Sequence, residues 1–270
     1  MSKMDSLFAL RNTIPPRTRL ILEISGVLLI LLLWIGLTAF GNISQALLPT
    51  PQSVLFSFKE LHFEDALVRN LFFSIKLNVL GYLEAIAICI PLGFLVALFP
   101  LFNGAFSRHI NAIRFLPITA LTGLFIAWFG IDTNMKVQFL AFGIVVYLLP
   151  VVVQRVSDLD SVYQQTAFTL GASKWQMIRT VFIPGVLPKL SDDIRVLTAI
   201  SWTYIIVAEL VNRSGGIGAL IYSSARQSRI DKVFALLVVI VLLGFVQDKI
   251  LSGLDRLLFP HKYLGSSDAS

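Results

Sequence analysis

Long apolar runs separated by short polar segments dominate this chain of 270 residues. A helix needs roughly 20 apolar residues to cross a bilayer, and six runs come close to that length. The ten-residue alternation that is typical of membrane β-barrels is not visible. The pattern therefore predicts an all-α fold, a polytopic membrane helical bundle with about six transmembrane helices. The predicted spans are 20–40, 71–98, 115–131, 137–153, 193–211 and 233–254.

Composition favours a membrane protein and argues against other classes. Hydrophobic residues make up 56% of the chain and charged residues 14%, whereas soluble domains carry about 25% charged residues. The net charge of +6 is better explained by cytoplasmic Lys and Arg than by nucleic-acid binding, which is not expected. Cys89 is the only cysteine, so no internal disulfide can form, and the three histidines are scattered. No metal site is expected.

The N-terminal residues 1–19 are predicted to be a cytoplasmic leader rather than a signal peptide. The apolar run that follows is longer than a usual signal core, and no A-x-A cleavage site comes after it. With six spans and the N-terminus inside, 14 of the 22 Lys and Arg residues lie on the cytoplasmic side, which agrees with the positive-inside rule. This topology places a tail, 259–270, in the cytoplasm, and residues 265–270 are expected to be disordered. One transmembrane domain, 20–258, lies between leader and tail.

A polar island at 161–188, which we call the elbow, interrupts the apolar pattern. Two Ser-x-x-Gln sequences, beginning at Ser161 and Ser173, have the spacing of capping boxes that begin helices. Gly171 lies between them, where a left-handed residue ends a helix. Pro184-Gly185 is predicted to end the second helix. The elbow is therefore expected to consist of two short helices bent about Gly171.

Two interpretations of the elbow remain open from the residues alone. Trp175, Ile178 and Phe182 share one face of the second helix. That apolar face could pack against a soluble partner protein or against the membrane interface. A soluble partner could grip the elbow and move the spans. Alternatively, the elbow is an interfacial helix pair that anchors a loop.

The elbow resembles the signature loop of the permease subunits of binding-protein-dependent ABC importers. That loop reads E-A-A, three residues, Gly, nine residues, and then an apolar residue, any residue and Leu-Pro. This chain has Gln165-Thr166-Ala167, Gly171, and a run that ends at Phe182-Ile183-Pro184, with Leu187-Pro188 after it. The first two positions depart from the family, so an ionic contact through the missing Glu is not expected.

Further stretches are similar to the nitrate/sulfonate/taurine/bicarbonate class of that family. Together they run through residues 47–255 in the family's order. They are Leu47-Leu48-Pro49-Thr50-Pro51, Ile90-Pro91-Leu92-Gly93, Arg114-Phe115-Leu116-Pro117, Trp128-Phe129-Gly130, Leu170-Gly171-Ala172-Ser173, Ala208-Glu209-Leu210 and Gly215-Gly216-Ile217-Gly218.

The resemblance implies an importer driven by other chains. A homodimer of permeases would sit in the bacterial inner (plasma) membrane with both termini in the cytoplasm. Two ATPase subunits would bind ATP and Mg, and an extracytoplasmic binding protein would deliver the solute. The solute would be an oxyanion, a sulfonate or a similar small organic compound, and alternating access would carry it across. This chain carries no phosphate loop and no reactive constellation, so it is expected to be a non-catalytic subunit without a cofactor.

The resemblance and the elbow pattern give a set of candidate site residues. Those expected to couple to the ATPase are Gln165, Ala167, Gly171, Ser173 and Trp175. Those expected to line the translocation pathway are Lys76, Glu84, Trp128, Trp202, Tyr204 and Glu209.

Several of these residues have a second interpretation. Glu209 can equally be a solvated carboxylate at a helix end, and the three aromatic residues can form an interfacial belt. The outer residues Arg213, Arg226 and Arg229 can steer anions, dock an acidic partner or be solvated.

A rival function is a secondary, ion-coupled transporter that needs no ATPase. Such proteins tend to have inverted repeats and several midplane charges. Here no repeat is visible, and Lys76 and Glu84, eight residues apart on one predicted face, are the charges expected at membrane depth. A membrane enzyme or scaffold is a further alternative, which would need a reactive constellation at one interface.

Overall fold

A computed structural model describes residues Ile14–Tyr263, which are almost entirely helical. The helices are α1 Pro16–Phe40, α2 Pro51–Phe63, α3 Leu67–Leu98, α4 Pro100–Ile113, α5 Thr122–Phe129, α6 Thr133–Ser157, α7 Ser161–Thr169, α8 Lys174–Met177, α9 Ile183–Val211, α10 Ile217–Arg226 and α11 Ile230–Leu258. The predictions about the basic leader before residue 14 and about disorder at 265–270 concern residues outside this range.

Local sequence accounts for the main breaks between helices. Thr50 caps α2 by accepting the backbone N–H of Ser53, and Pro51 begins the helix where no N–H is needed. Gly130 has a φ of +74° and ends α5, which suits a residue without a side chain. These two breaks therefore fall where proline, glycine or a capping side chain dictates them.

The predicted bundle of about six membrane helices is confirmed. Within residues 14–263, five helices are long and apolar enough to cross a membrane. A bent pair, Pro100–Ile113 with Ile118–Phe129, makes a sixth if it is counted as one crossing.

The third predicted span, 115–131, is not a straight helix. Its helical part is a 3-10 turn, Ile118–Leu121, followed by α5, and this part is bent by 93° from α4. Pro117 explains the break, because proline has no N–H and disfavours the helical conformation of the residue before it. The twelve helical residues 118–129 are fewer than the roughly 20 that a crossing needs, so the segment depends on its neighbours.

The core lies where α3, α6 and α9 pack together. Small residues stand at the closest approaches: Gly81 faces Leu140, Gly93 faces Val152, and Gly143 faces the ring of Tyr204. In an apolar solvent, helix association depends on close packing rather than on the hydrophobic effect. These glycines therefore set the spacing of the three central helices.

The first helix, α1, stands apart from this core. None of its most apolar 18-residue window is buried. Its contacts include a hydrogen bond from Trp34 Nε1 to the Pro49 carbonyl at 2.9 Å and a ring contact of Trp34 with Phe234 at 5.8 Å. Its exposed face suits lipid.

Replacing Gly93 with alanine is expected to destabilise the bundle by about 1–3 kcal/mol, the usual cost of overpacking. A Cβ atom at Gly93 would lie 2.4 Å from Val152 Cγ1 and 2.7 Å from Val152 Cβ, which sits too near the backbone to move away easily. Thermal unfolding of the purified protein in detergent measures the effect. Gly104→Ala on α4 is the control, because nothing lies within 4 Å of that site. Equal melting temperatures for the two variants would contradict the close approach of α3 and α6.

Candidate functional site

The first half of the elbow bends as predicted, although its cap is a different residue. Asp160, not Ser161, caps α7 by accepting the backbone N–H of Val162 at 2.9 Å. An aspartate directly before the helix offers a better placed acceptor than a serine inside its first turn. The bend itself is at Gly171, whose φ of +77° is left-handed as expected.

The second half begins as predicted but does not end as predicted. Ser173 and Gln176 form the expected capping box, with hydrogen bonds of 3.3 and 2.8 Å. Pro184-Gly185 was expected to end this helix, yet the helix continues from Lys174 to Val211 as a single candidate span. The reason is a π turn at Ile178–Phe182, where the Ile183 N–H bonds to the Ile178 carbonyl. This wide turn lets the chain pass Pro184 without stopping.

The elbow has an exposed apex and a buried underside. Leu170 and Trp175 are 81% and 71% exposed, and Gln165, Gly171 and Ser173 are exposed as well. Ala167 and Met177 are buried beneath them. Four of the five predicted coupling residues therefore lie where a partner could reach them, and Ala167 packs inward.

Beneath the elbow lies a cavity of about 510 Å³. Its walls include Leu98 and Pro100, at the junction of α3 and α4, and Ser157 at the end of α6, with Phe168 and Met177 from the elbow itself. The elbow is thus seated over the ends of three helices.

Two ion pairs tie the neighbouring helices to α9. Arg155 of α6 binds Asp193 through two hydrogen bonds of 2.5 and 2.8 Å. Arg195 of α9 binds Asp248 of α11 in the same two-pronged way, also at 2.5 and 2.8 Å. Planar guanidinium–carboxylate pairs fix orientation as well as distance. These pairs therefore fix the orientation of α6 and α11 relative to α9.

At the other end of α9, Glu209 is completely buried. Its two carboxylate oxygens accept hydrogen bonds from Ser74 Oγ at 2.7 Å and from the Gly218 N–H at 2.8 Å. Lys136, also completely buried, donates to the Gly215 carbonyl at 3.1 Å and attracts the carboxylate electrostatically. We call Ser74, Lys136, Glu209 and Gly215–Gly218 the Glu209 cluster.

Two glycines of this cluster, Gly216 and Gly218, leave the space that the Glu209 side chain occupies. A Cβ atom at Gly216, whose φ is +103°, would lie 2.1 Å from Glu209 Oε1, and one at Gly218 would lie 2.7 Å from Glu209 Cβ. The interpretation of Glu209 as a solvated carboxylate is therefore wrong. The sequence analysis did not identify Ser74 and Lys136 as partners of Glu209. Both are polar residues within or beside apolar runs, and that position was the sequence feature that could have indicated a buried role.

The predicted aromatic residues do not form one wall. Trp202 is buried and donates from Nε1 to Gln247 at 2.6 Å, and Tyr204 is buried against Gly143 with its ring 6.4 Å from that of Tyr147. Trp128 is 63% exposed. In this conformation the first two are packing residues, and only Trp128 presents a free ring face.

Lys76 and Glu84 both lie on α3, but they line two separate cavities. Lys76 faces a cavity of about 660 Å³ with Arg69, Asn70 and Arg213. Glu84 faces a cavity of about 320 Å³ together with Trp128. Arg226 lines a third cavity that shares Asn70 and Arg213 with that of Lys76. We call Arg69, Lys76, Arg213 and Arg226 the basic cluster.

The predicted outer arginines have different environments. Arg213 and Arg226 line cavities, and Arg213 stacks on Tyr222 at 3.6 Å from the ring centroid. Arg229 is held by Asp231 and by Glu60 at 2.7 Å, and its hydrogen bond holds the pKa of Glu60 below its usual value. Arg229 is thus a structural residue that joins α2 to α11.

Comparison with known proteins gives consistent matches. Residues 89–259 match the family model described as binding-protein-dependent transport system inner membrane component. An aliphatic sulfonates transport permease protein of Bacillus subtilis, as its name has it, is 29% identical over 232 residues. The alignment covers 85% of this chain and 83% of that protein. The taurine transport system permease protein of Escherichia coli is 29% identical over 254 residues, or 91% of each chain.

A solved structure shares the fold. A chain of the inward-facing MetNI methionine ABC transporter aligns with a TM-score of 0.63 and 18% identity. The alignment covers 70% of this chain and 94% of that one. At this identity the match speaks for the helical architecture alone.

Lys136→Met is expected to destabilise the protein by about 3–5 kcal/mol, because it leaves Glu209 buried without its counter-charge. The double variant Lys136→Met with Glu209→Gln should recover part of that loss, since no unpaired charge remains. Chemical denaturation in detergent measures both. Lys59→Met, the same change at an exposed lysine of α2, should stay within about 0.5 kcal/mol of the parent. Independent, additive effects of the two cluster substitutions would show that the charges do not interact.

Proposed function

Since the chain belongs to the family of binding-protein-dependent transport system inner membrane components, we propose that its elbow couples a separate ATPase to import of a small anionic solute. The exposed apex of the elbow, attached directly to a helix that reaches the far end of the bundle, is the observation that carries this proposal.

The elbow can act as a lever because α9 is joined to it without a break. Trp175 lies in the first turn of the helix that begins at Lys174, and Gly171 lies three residues before it. A force applied to either residue would act along the 38 residues of that helix as far as Val211. The ion pairs of Arg155 and Arg195 carry the displacement to α6 and α11. Two packed states that differ by a few kcal/mol are enough for a partner to shift the population between them. Alternating access is the resulting transport mode.

The partners follow from the family. ATP and Mg would bind the ATPase subunits, one beneath each elbow of a permease homodimer, and an extracytoplasmic binding protein would supply the solute. The elbow end would then face the cytoplasm, together with both termini, and the Glu209 cluster would face outward. The charge bias of the sequence supports this orientation.

The relatives and the basic cluster both point to an anion. The two relatives are named for aliphatic sulfonates and for taurine. Arg69, Lys76 and Arg226 make no ion pair within the described part of the chain, so their charge is available to attract a sulfonate or an oxyanion.

The proposal predicts ATP-driven uptake by the complete assembly only. The tagged permease should co-purify with an ATP-binding subunit. Proteoliposomes that contain this complex, given binding protein and ATP, should accumulate a sulfonate, and permease alone should not. Accumulation by the permease alone, driven by an ion gradient, would favour the secondary transporter instead.

Gly171→Val is expected to uncouple ATP hydrolysis from transport while the protein still inserts into the membrane. A side chain in a left-handed bend costs roughly 1–2 kcal/mol and changes the angle between the elbow helices. The measurement is the ratio of solute imported to ATP hydrolysed in proteoliposomes. Gly26→Val, at an open site on α1, is the matched control and should leave the ratio unchanged. A normal ratio for the Gly171 variant would count against the lever.

A further inference from the structure

The space beneath the elbow, which we call the elbow cavity, has a volume of about 510 Å³. This volume falls within the roughly 300–1,000 Å³ range of small-molecule sites. The cavity lies between the elbow and the ends of α3, α4 and α6. The solute would not pass through it, because the residues proposed for the pathway line other cavities or lie elsewhere in the bundle.

The walls of the elbow cavity are mostly apolar. All of its lining residues except Ser157, Gln164 and Lys174 are apolar. Val156 and Met177 are the most buried of the apolar ones, at 2% and 4% exposure. Walls of this kind favour a ligand with an apolar body, because its contact with them removes apolar surface from water.

The polar lining residues lie at the mouth of the elbow cavity and include one charge. Ser157, Gln164 and Lys174 are exposed, and Lys174 is the charged residue among the described residues that line the cavity. The acidic residues nearby in sequence, Asp158 and Asp160, do not line it. Within residues 14–263, Lys174 forms no ion pair. Its ammonium group is therefore available to an anion whose apolar part lies inside.

We propose that the elbow cavity binds a small amphiphilic carboxylate, such as a medium-chain fatty acid anion. Its chain would lie against the apolar walls and its carboxylate at Lys174. A phospholipid of the bilayer fits less well, because its acyl chains extend along the membrane spans, whereas this cavity lies at the ends of helices. In the orientation given under the proposed function, on which this point rests, the ligand would enter from the cytoplasm.

A ligand in the elbow cavity would restrain the elbow. Phe168 and Met177 belong to the elbow, whereas Leu98 and Ser157 belong to the ends of α3 and α6. An occupant would contact both sides at once and would bind best to the arrangement seen here. A ligand shifts a population toward the state that it binds better, so binding would hold the elbow against the bundle.

The test uses the full chain, with its co-purified partner subunits, in phosphatidylcholine nanodiscs without ATP. Equilibrium dialysis measures the binding of octanoate and of its neutral analogue octanamide, after subtraction of the binding to empty nanodiscs. The parent should bind octanoate about tenfold more tightly than octanamide, which corresponds to one charge contact of about 1.4 kcal/mol. Lys174→Gln should abolish this difference, and Lys174→Arg should retain it.

Matched variants locate the ligand. Lys189→Gln makes the same change at an exposed lysine of α9 that does not line the elbow cavity, and it should alter neither affinity. Ser157→Leu adds an apolar side chain at the mouth of the cavity and should weaken both ligands equally, because it removes space and leaves the charge in place.

Amide hydrogen exchange measures the restraint of the elbow in the same samples. Saturating octanoate should slow exchange in residues 161–182 and leave exchange in α2, which does not line the cavity, unchanged.

Four results would overturn the proposal. They are no saturable binding above that of empty nanodiscs, an equal effect of Lys174→Gln and Lys189→Gln on octanoate, unchanged exchange in the elbow, and loss of octanamide binding in phosphatidylglycerol nanodiscs. The last result would assign the cavity to a bilayer lipid. Neither measurement needs ATP or a transported solute. Octanoate binding by a protein that fails the uptake experiment would therefore refute the proposed function and leave this site standing.

Discussion

The helix that runs from Lys174 to Val211 is the constraint on which the remaining structure depends. It contains Pro184 and Pro188, either of which would normally kink or end a helix. The π turn before Pro184 removes that obstacle, so the elbow and the Glu209 cluster lie on one continuous element. Because the helix does not end at Pro184, one helical element connects the two ends of the bundle.

Polar contacts to neighbouring helices hold both ends of this helix. The half-exposed ion pairs Arg155–Asp193 and Arg195–Asp248 secure its elbow half, and Ser74 and the Gly218 N–H secure the buried Glu209 at its far end. In an apolar surrounding an unpaired charge is costly, so each pair also selects one arrangement of the helices. Glu84 is different, because its hydrogen-bond partner is the neutral Gln138 and its side chain lines an aromatic cavity.

The elbow shows how far local sequence can be trusted. Gly171 and the capping box at Ser173 were predicted correctly, because both depend only on residues within one turn. The end at Pro184-Gly185 was wrong, since a proline usually stops a helix and no local pattern announces a π turn. The third span was predicted over 115–131 from its apolar length alone. Its helical part is shorter, 118–129, and is bent by 93° from the helix before it at Pro117. The roles of the coupling and pathway residues remain predictions.

By itself the sequence determined the helical membrane class, the approximate spans, the bend at Gly171 and the family resemblance. Each of these follows from apolar length, helix signals or ordered motifs, which are properties of neighbouring residues. Only the tertiary structure decided that Glu209 is buried against Ser74 and Lys136, and that Glu84 and Trp128 share one cavity. Ser74 and Glu209 are 135 residues apart along the chain. The packing of α3, α6 and α9 brings such residues together, and no local pattern encodes which distant polar side chains will meet.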